Sequence, residues 1–212
     1  MSAGSHPQGT IWNARRRALG NLIPFLFWAP PNIAGLVLIL RGGDPLGPGL
    51  WLMAAGLVTG GIALNIFGFW DSASMRAELA AHLGSMGLDL KEATFVGFAS
   101  PAHAGLIDAH EDVGFLVLGT DLTFVSEVRT VTLLRSQIKV VRFRSNIHSL
   151  LGLGRWVSVE GTMATGPFRL LIEPREKPTL LANRRFGVEL RTRIEAWRQA
   201  SASGDRTLPP LT

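Results

Sequence analysis

The sequence predicts an α+β protein in which two transmembrane helices precede a seven-stranded domain capped by a C-terminal helix. Three observations predict it. Two uncharged apolar stretches, Ala18–Leu40 and Leu50–Trp70, stand back to back, and each has the roughly 20 residues that a helix needs to cross a bilayer core of about 30 Å. Beyond them, short runs of Val, Leu, Ile, Thr and Phe recur between turn residues, as strands do. The period then changes from two to 3.6 over Leu181–Ala200, which marks an amphipathic helix. On this basis residues 1–17 form a basic N-terminus, 18–71 a transmembrane hairpin, 72–90 a juxtamembrane helix and linker, 91–200 the sheet domain and 201–212 a disordered tail.

The first span carries Pro24, Pro30, Pro31 and Asn32. Each proline removes a backbone donor and obstructs the preceding turn, so a kinked anchor packed on the second span is expected, with a re-entrant loop as the alternative. Its late start and length argue for an anchor and against a cleaved leader. The second span contains Gly56-x-x-x-Gly60, a spacing that lets helix backbones approach closely. The first span is the expected partner of these two glycines, and a homodimer the alternative. Trp51 and Trp70 mark its two ends, where indole rings favour the membrane–water interface. Neither span holds an ionisable residue, which disfavours a channel or pump.

Charge sets the orientation. Arg15, Arg16 and Arg17 precede the first span, and basic flanks stay on the cytoplasmic side. Both termini are therefore expected in the cytoplasm, with the hairpin in the inner membrane. From Asp71 onward 17 basic residues face 15 acidic ones, a balance that gives no nucleic-acid footprint. The chain has no cysteine, which excludes disulfides, thiol catalysis and cysteine-based metal sites.

After Asp71, Met75, Leu79, Leu83 and Met86 share one side of a short helix, suited to the bilayer surface or to the domain. Strands are expected near Thr94–Phe98, Phe115–Leu118, Leu122–Ser126, Thr130–Leu134, Ile138–Arg144, Trp156–Gly161 and Phe168–Glu173, with Gly119-Thr-Asp121 as a tight hairpin. In the last helix Phe186, Leu190, Ile194 and Trp197 form an apolar stripe, and Arg184, Arg191 and Arg198 a separate, solvated one.

Seven strands followed by one helix is the element order of the pleckstrin-homology superfold. The segment Asp112-Val-Gly-Phe-Leu-Val-Leu-Gly-Thr-Asp121-Leu-Thr-Phe-Val-Ser-Glu127 resembles the "gxLxlTxxxLxF" hairpin of bacterial PH-like and GRAM domains, and Thr132-Leu-Leu-Arg-Ser-Gln-Ile138-Lys-Val-Val141 resembles their "ipLxxIxxV" segment. The resemblance covers roughly Glu92 to Gln199. It implies a partly open barrel plugged by a helix, used to bind lipid headgroups or a peptide, without enzymatic activity and without a cofactor.

Candidate site residues follow from the loop between the fifth and sixth strands. Ile147, Leu150, Leu151 and Leu153 make an apolar tip, flanked by Arg142 and Arg144 on one strand and Arg155 on the next. Residues two apart on a strand share a face, so Arg142 and Arg144 should point together. An apolar tip ringed by guanidinium groups suits a bilayer of anionic headgroups, or a docking protein. His103, Asp108, His110, Glu111 and Asp112 cluster in sequence, but their spacing fits no common zinc or calcium pattern. Ser100, His103 and Asp108 lack a nucleophile elbow and an oxyanion hole. The expected function is that of a non-enzymatic, membrane-anchored adaptor or accessory module, which binds a protein partner or inner-leaflet headgroups. The alternative is an accessory subunit of a membrane transport or enzyme complex.

Overall fold

The structure, a computed structural model, describes residues 9–42, 44, 46–101, 110–146, 149 and 152–200. Helix α1 spans Ala14–Leu40 and α2 spans Pro48–Phe67. Both are long and apolar enough to cross a membrane. Helix α1 starts one turn before the apolar stretch because the Asn13 side chain accepts from Arg16 N–H at 3.0 Å, capping the first turn. It runs unbroken through Pro24, Pro30 and Pro31, so the described chain has a continuous helix in place of a re-entrant loop. Pro31 cannot donate to the carbonyl of Phe27 four residues back. That oxygen instead accepts from the Thr59 hydroxyl of α2 at 3.2 Å.

The two helices meet through glycine. A Cβ on Gly56 would collide with the Asn32 amide, and one on Gly60 would lie 2.7 Å from Trp28 Cβ. The small-residue face of α2 is thus occupied by α1 of the same chain. Helix α3 (Ser72–Ser85) follows after the short turn at residues 68–71.

Seven antiparallel strands then form one sheet: β1 (Thr94–Ala99), β2 (Asp112–Leu118), β3 (Leu122–Ser126), β4 (Thr130–Leu133), β5 (Ile138–Arg144), β6 (Trp156–Met163) and β7 (Gly166–Pro174). The spatial order is β4-β3-β2-β1-β7-β6-β5, so chain neighbours pair except where β1 meets β7 and where β4 and β5 stand at opposite ends. Helix α4 (Leu180–Gln199) lies against the inner face. There Leu190, Ile194 and Trp197 join Val96, Phe98, Leu116, Phe124, Leu133, Val141, Val159 and Ile172 in one core fed by all seven strands. Such convergence requires the sheet to curl around the helix.

The outer face has its own core. Met75, Leu79 and Leu83 of α3 are almost fully buried against Phe95, Val113, Phe115 and Val125, with Ile11 from the N-terminal segment. Of the four apolar residues expected on this helix, Met86 alone stands out in solvent, beyond the last helical turn. Strand β1 is consequently buried along all six residues.

Truncating Leu79 to alanine removes the centre of this second core and should cost about 2–5 kcal/mol. Chemical denaturation of the detergent-solubilised full chain would measure it. A loss below about 0.5 kcal/mol, the scale of surface changes, would contradict the packing.

Candidate functional site

Two polar constellations stand on the outer face of the sheet, one buried under the hairpin and one exposed beside it. The register places both on one surface. Arg169 and Glu173 alternate to the same side of β7, Glu160 pairs with Arg169, and Val140 and Arg142 follow from Glu160 and Ser158 across the β5–β6 ladder.

The exposed constellation centres on Glu160. Its carboxylate accepts from Arg142 at 2.7 and 3.1 Å, from Arg144 at 2.6 Å and from the Ser158 hydroxyl at 2.7 Å, with Arg169 at 3.4 Å. Arg142 and Arg144 do point together, as their spacing predicts, but toward an acid that sequence reasoning missed. The Arg144 hydrogen bond, foremost among these donors, holds the Glu160 carboxyl far below the usual carboxylate range despite its partial burial. Three guanidinium groups around one carboxylate leave the patch with two units of positive charge.

Arg155 is not part of that patch, which corrects the expected three-arginine ring. Its guanidinium lies 3.5 Å from the centroid of the Phe143 ring, and Phe143 turns to the α4 side. There it joins two arginines of α4. Arg191 donates to Val141 O at 3.3 Å and lies over the same ring, while Arg184 donates to Gly152 O. Burial first, then the charges of Arg184 and Arg191, lower the Arg155 pKa from its ordinary value. The stripe expected to be solvated is thus tied to the sheet domain at two of its three positions, Arg191 to strand β5 and Arg184 to the β5–β6 loop, and Arg198 pairs with Glu195. Leu153 is half-buried. Ile147, Leu150 and Leu151, the expected apolar tip, lie outside the described residues.

The buried constellation sits where the hairpin meets the sheet. His110 Nε2 lies 3.2 Å from Glu173 Oε2 and both side chains are buried. Arg175 donates to the Ser72 hydroxyl at 3.1 Å and stacks 4.2 Å from the centroid of Phe69. The His110 ring meets Trp12, Phe69 and Trp156 edge-on and lies so close over Gly97 that a Cβ there would enter the imidazole. Glycine at position 97 is what lets this histidine lie on β1.

Ion pairs and caps complete the junction. Arg16 reaches Asp71 at 2.6 Å and Glu78 at 2.7 Å, so one of the three N-terminal arginines binds α1 to the start of α3. Glu127 accepts from Ile11 N–H at 2.8 Å and from the Thr10 hydroxyl at 2.6 Å. Asn65 of α2 accepts from Leu181 N–H at 2.9 Å, satisfying a free amide in the first turn of α4.

The acidic run after the first strand disperses. His110 turns to Glu173, Glu111 to Arg129 at 2.9 Å, and Asp112 to the Ser126 hydroxyl at 2.7 Å. Burial, foremost, raises the Asp112 carboxyl above its ordinary value. His103 and Asp108 lie outside the described residues, and those described hold no metal-binding group of three or more acids and histidines.

No known protein family, no curated protein and no solved structure matches this chain.

Because the folded Glu160 carboxyl is lowered from an ordinary 4.5, its pairing stabilises the fold above that pH and is lost as the pH falls through and below it. Glu160→Gln should cost about 1 kcal/mol at pH 7 and flatten the stability loss on acidification. Denaturation midpoints of both proteins at pH 7 and pH 3.5 measure this, and parallel curves would contradict it.

Proposed function

We propose that this protein is an integral membrane protein whose hairpin holds a PH-like domain against the inner leaflet, where it serves without catalysis as an adaptor or accessory module. One observation carries the reading: Arg142 and Arg169 stand exposed, and Arg144 half-buried beside them, on the sheet face that also receives the hairpin. A cationic patch beside a membrane anchor meets anionic headgroups at high local concentration, and each well-placed basic residue adds about 1 kcal/mol there. A PH-like fold is supported by the seven-strand order and by the single helix closing the inner face. Cytoplasmic termini are supported by Arg15–Arg17 and by the return of α2 to the surface from which α1 departs. The patch would serve an acidic protein partner by the same chemistry, including a larger subunit of a transport or enzyme complex.

The chain's lack of cysteine gives a direct test. Val140→Cys, beside Glu160 on the outer face, carries a polarity-sensitive fluorophore on the full chain in lipid nanodiscs. A blue shift is expected with phosphatidylglycerol, absent with phosphatidylcholine and lost in Arg142→Gln/Arg144→Gln. Glutamine is the suitable replacement, because glutamate would place three carboxylates together. An emission spectrum indifferent to lipid charge would remove the headgroup role and leave the patch to a protein partner.

A further inference from the structure

A groove with room for about 870 Å³ opens between the end of α2, helix α3 and the β7–α4 loop, within the size range of about 300–1,000 Å³ typical of ligand sites. Its walls differ in chemistry. On the α2 side Ile66 continues the line Val58–Ile62–Ile66, all three exposed and all on one helix face at four-residue spacing. If α2 crosses the bilayer, this line faces lipid tails and leads directly into the groove. On the α3 side Ala73, Ala77 and Ala80 line it. The same helix turns Met75, Leu79 and Leu83 into the domain. Alanine on this face leaves a channel where larger side chains would close it.

The rim is cationic. Arg76 lies half-exposed, 2.9 Å from Glu176. Glu176 also accepts from Phe95 N–H at 2.6 Å, so its charge is shared with the backbone. Lys177 rests 5.1 Å from the Phe186 ring centroid, and among the described residues it has no acidic partner. Trp70, exposed beside them, sits where an indole marks the membrane–water boundary. An apolar channel continuous with a lipid-facing helix surface, ending in two cations at the boundary, has the polarity profile of a phospholipid.

We propose that this groove holds one anionic phospholipid of the surrounding bilayer, with an acyl chain along Ile66 and the three alanines and its phosphate at Arg76 and Lys177. The proposal rests on the reading that α1 and α2 span the membrane. The groove is separate from the Arg142–Glu160 patch and would wedge the lipid between hairpin and domain.

The test uses the full chain. Alkaline carbonate washing of expressing membranes comes first: a chain released into the wash is not integral, and both the anchoring reading and the groove fail. For a retained chain, native mass spectrometry in mild detergent follows, with phosphatidylglycerol or phosphatidylcholine added at equal concentration. One phosphatidylglycerol per chain is expected, bound more tightly than phosphatidylcholine. Ala77→Trp fills the channel and should weaken it at least about tenfold, as loss of a few buried methylenes does. Lys177→Gln, which leaves the packing intact, should weaken it about fivefold, the equivalent of one interfacial basic residue. A retained chain whose phosphatidylglycerol binding is unchanged in Lys177→Gln, and in Ala77→Trp where that variant folds, overturns the groove alone.

Discussion

Strand β1 is buried along both faces, and the arrangement of the remaining elements follows from that constraint. Val96 and Phe98 point into the core closed by α4, while Phe95 points to the opposite side. A strand with apolar residues on both sides needs a layer over each. Helix α4 supplies the inner layer, and α3 the outer one. Because α3 follows α2 after a turn of only a few residues, covering β1 brings the end of the hairpin onto the sheet. Helix α3 and the sheet thus share a core, and the hairpin is joined to it through α3 and through the ion pairs of Arg16.

The junction uses polar chemistry in two ways. Arg16 with Asp71 and Glu78, and Asn65 with the first turn of α4, are directional contacts that set the angle between helices and sheet. His110, Glu173 and Arg175 are buried polar groups that are costly to remove from water unless paired, so disrupting one strands the others. Next to this covered zone the same sheet face carries Arg142, Arg144 and Arg169 around one shared acid. The fold therefore divides a single surface into a locked half and a cationic half, and the lock decides which way the cationic half faces.

Much of this was legible in the chain. The two apolar stretches became α1 and α2, the strands Leu122–Ser126 and Ile138–Arg144 have the bounds that alternation and turns predict, and the stripe Phe186, Leu190, Ile194, Trp197 is the buried face of α4. What escaped depends on register and on distant pairing. Glu160 sits four residues after Trp156 with nothing local to mark it, and only the β5–β6 ladder brings it to Arg142 and Arg144. Arg155 follows a loop, so strand alternation could not assign its face. The outer layer did leave a signal: Phe95-Val-Gly-Phe-Ala lacks the polar alternation of a one-sided strand, which calls for a second cover, and Met75, Leu79 and Leu83 were the apolar residues able to provide it.

The central claim is that the hairpin and the sheet domain move as one body. Spin labels on Val58→Cys in α2 and Val188→Cys in α4, both exposed positions in a chain without other cysteines, report it by double electron–electron resonance of the full chain in nanodiscs. A single narrow distance distribution is predicted, broadening in Arg16→Ala/Glu78→Ala as the junction loosens. A broad or multimodal distribution in the unaltered junction would contradict the account, because the domain would then be tethered to the hairpin without being docked on it.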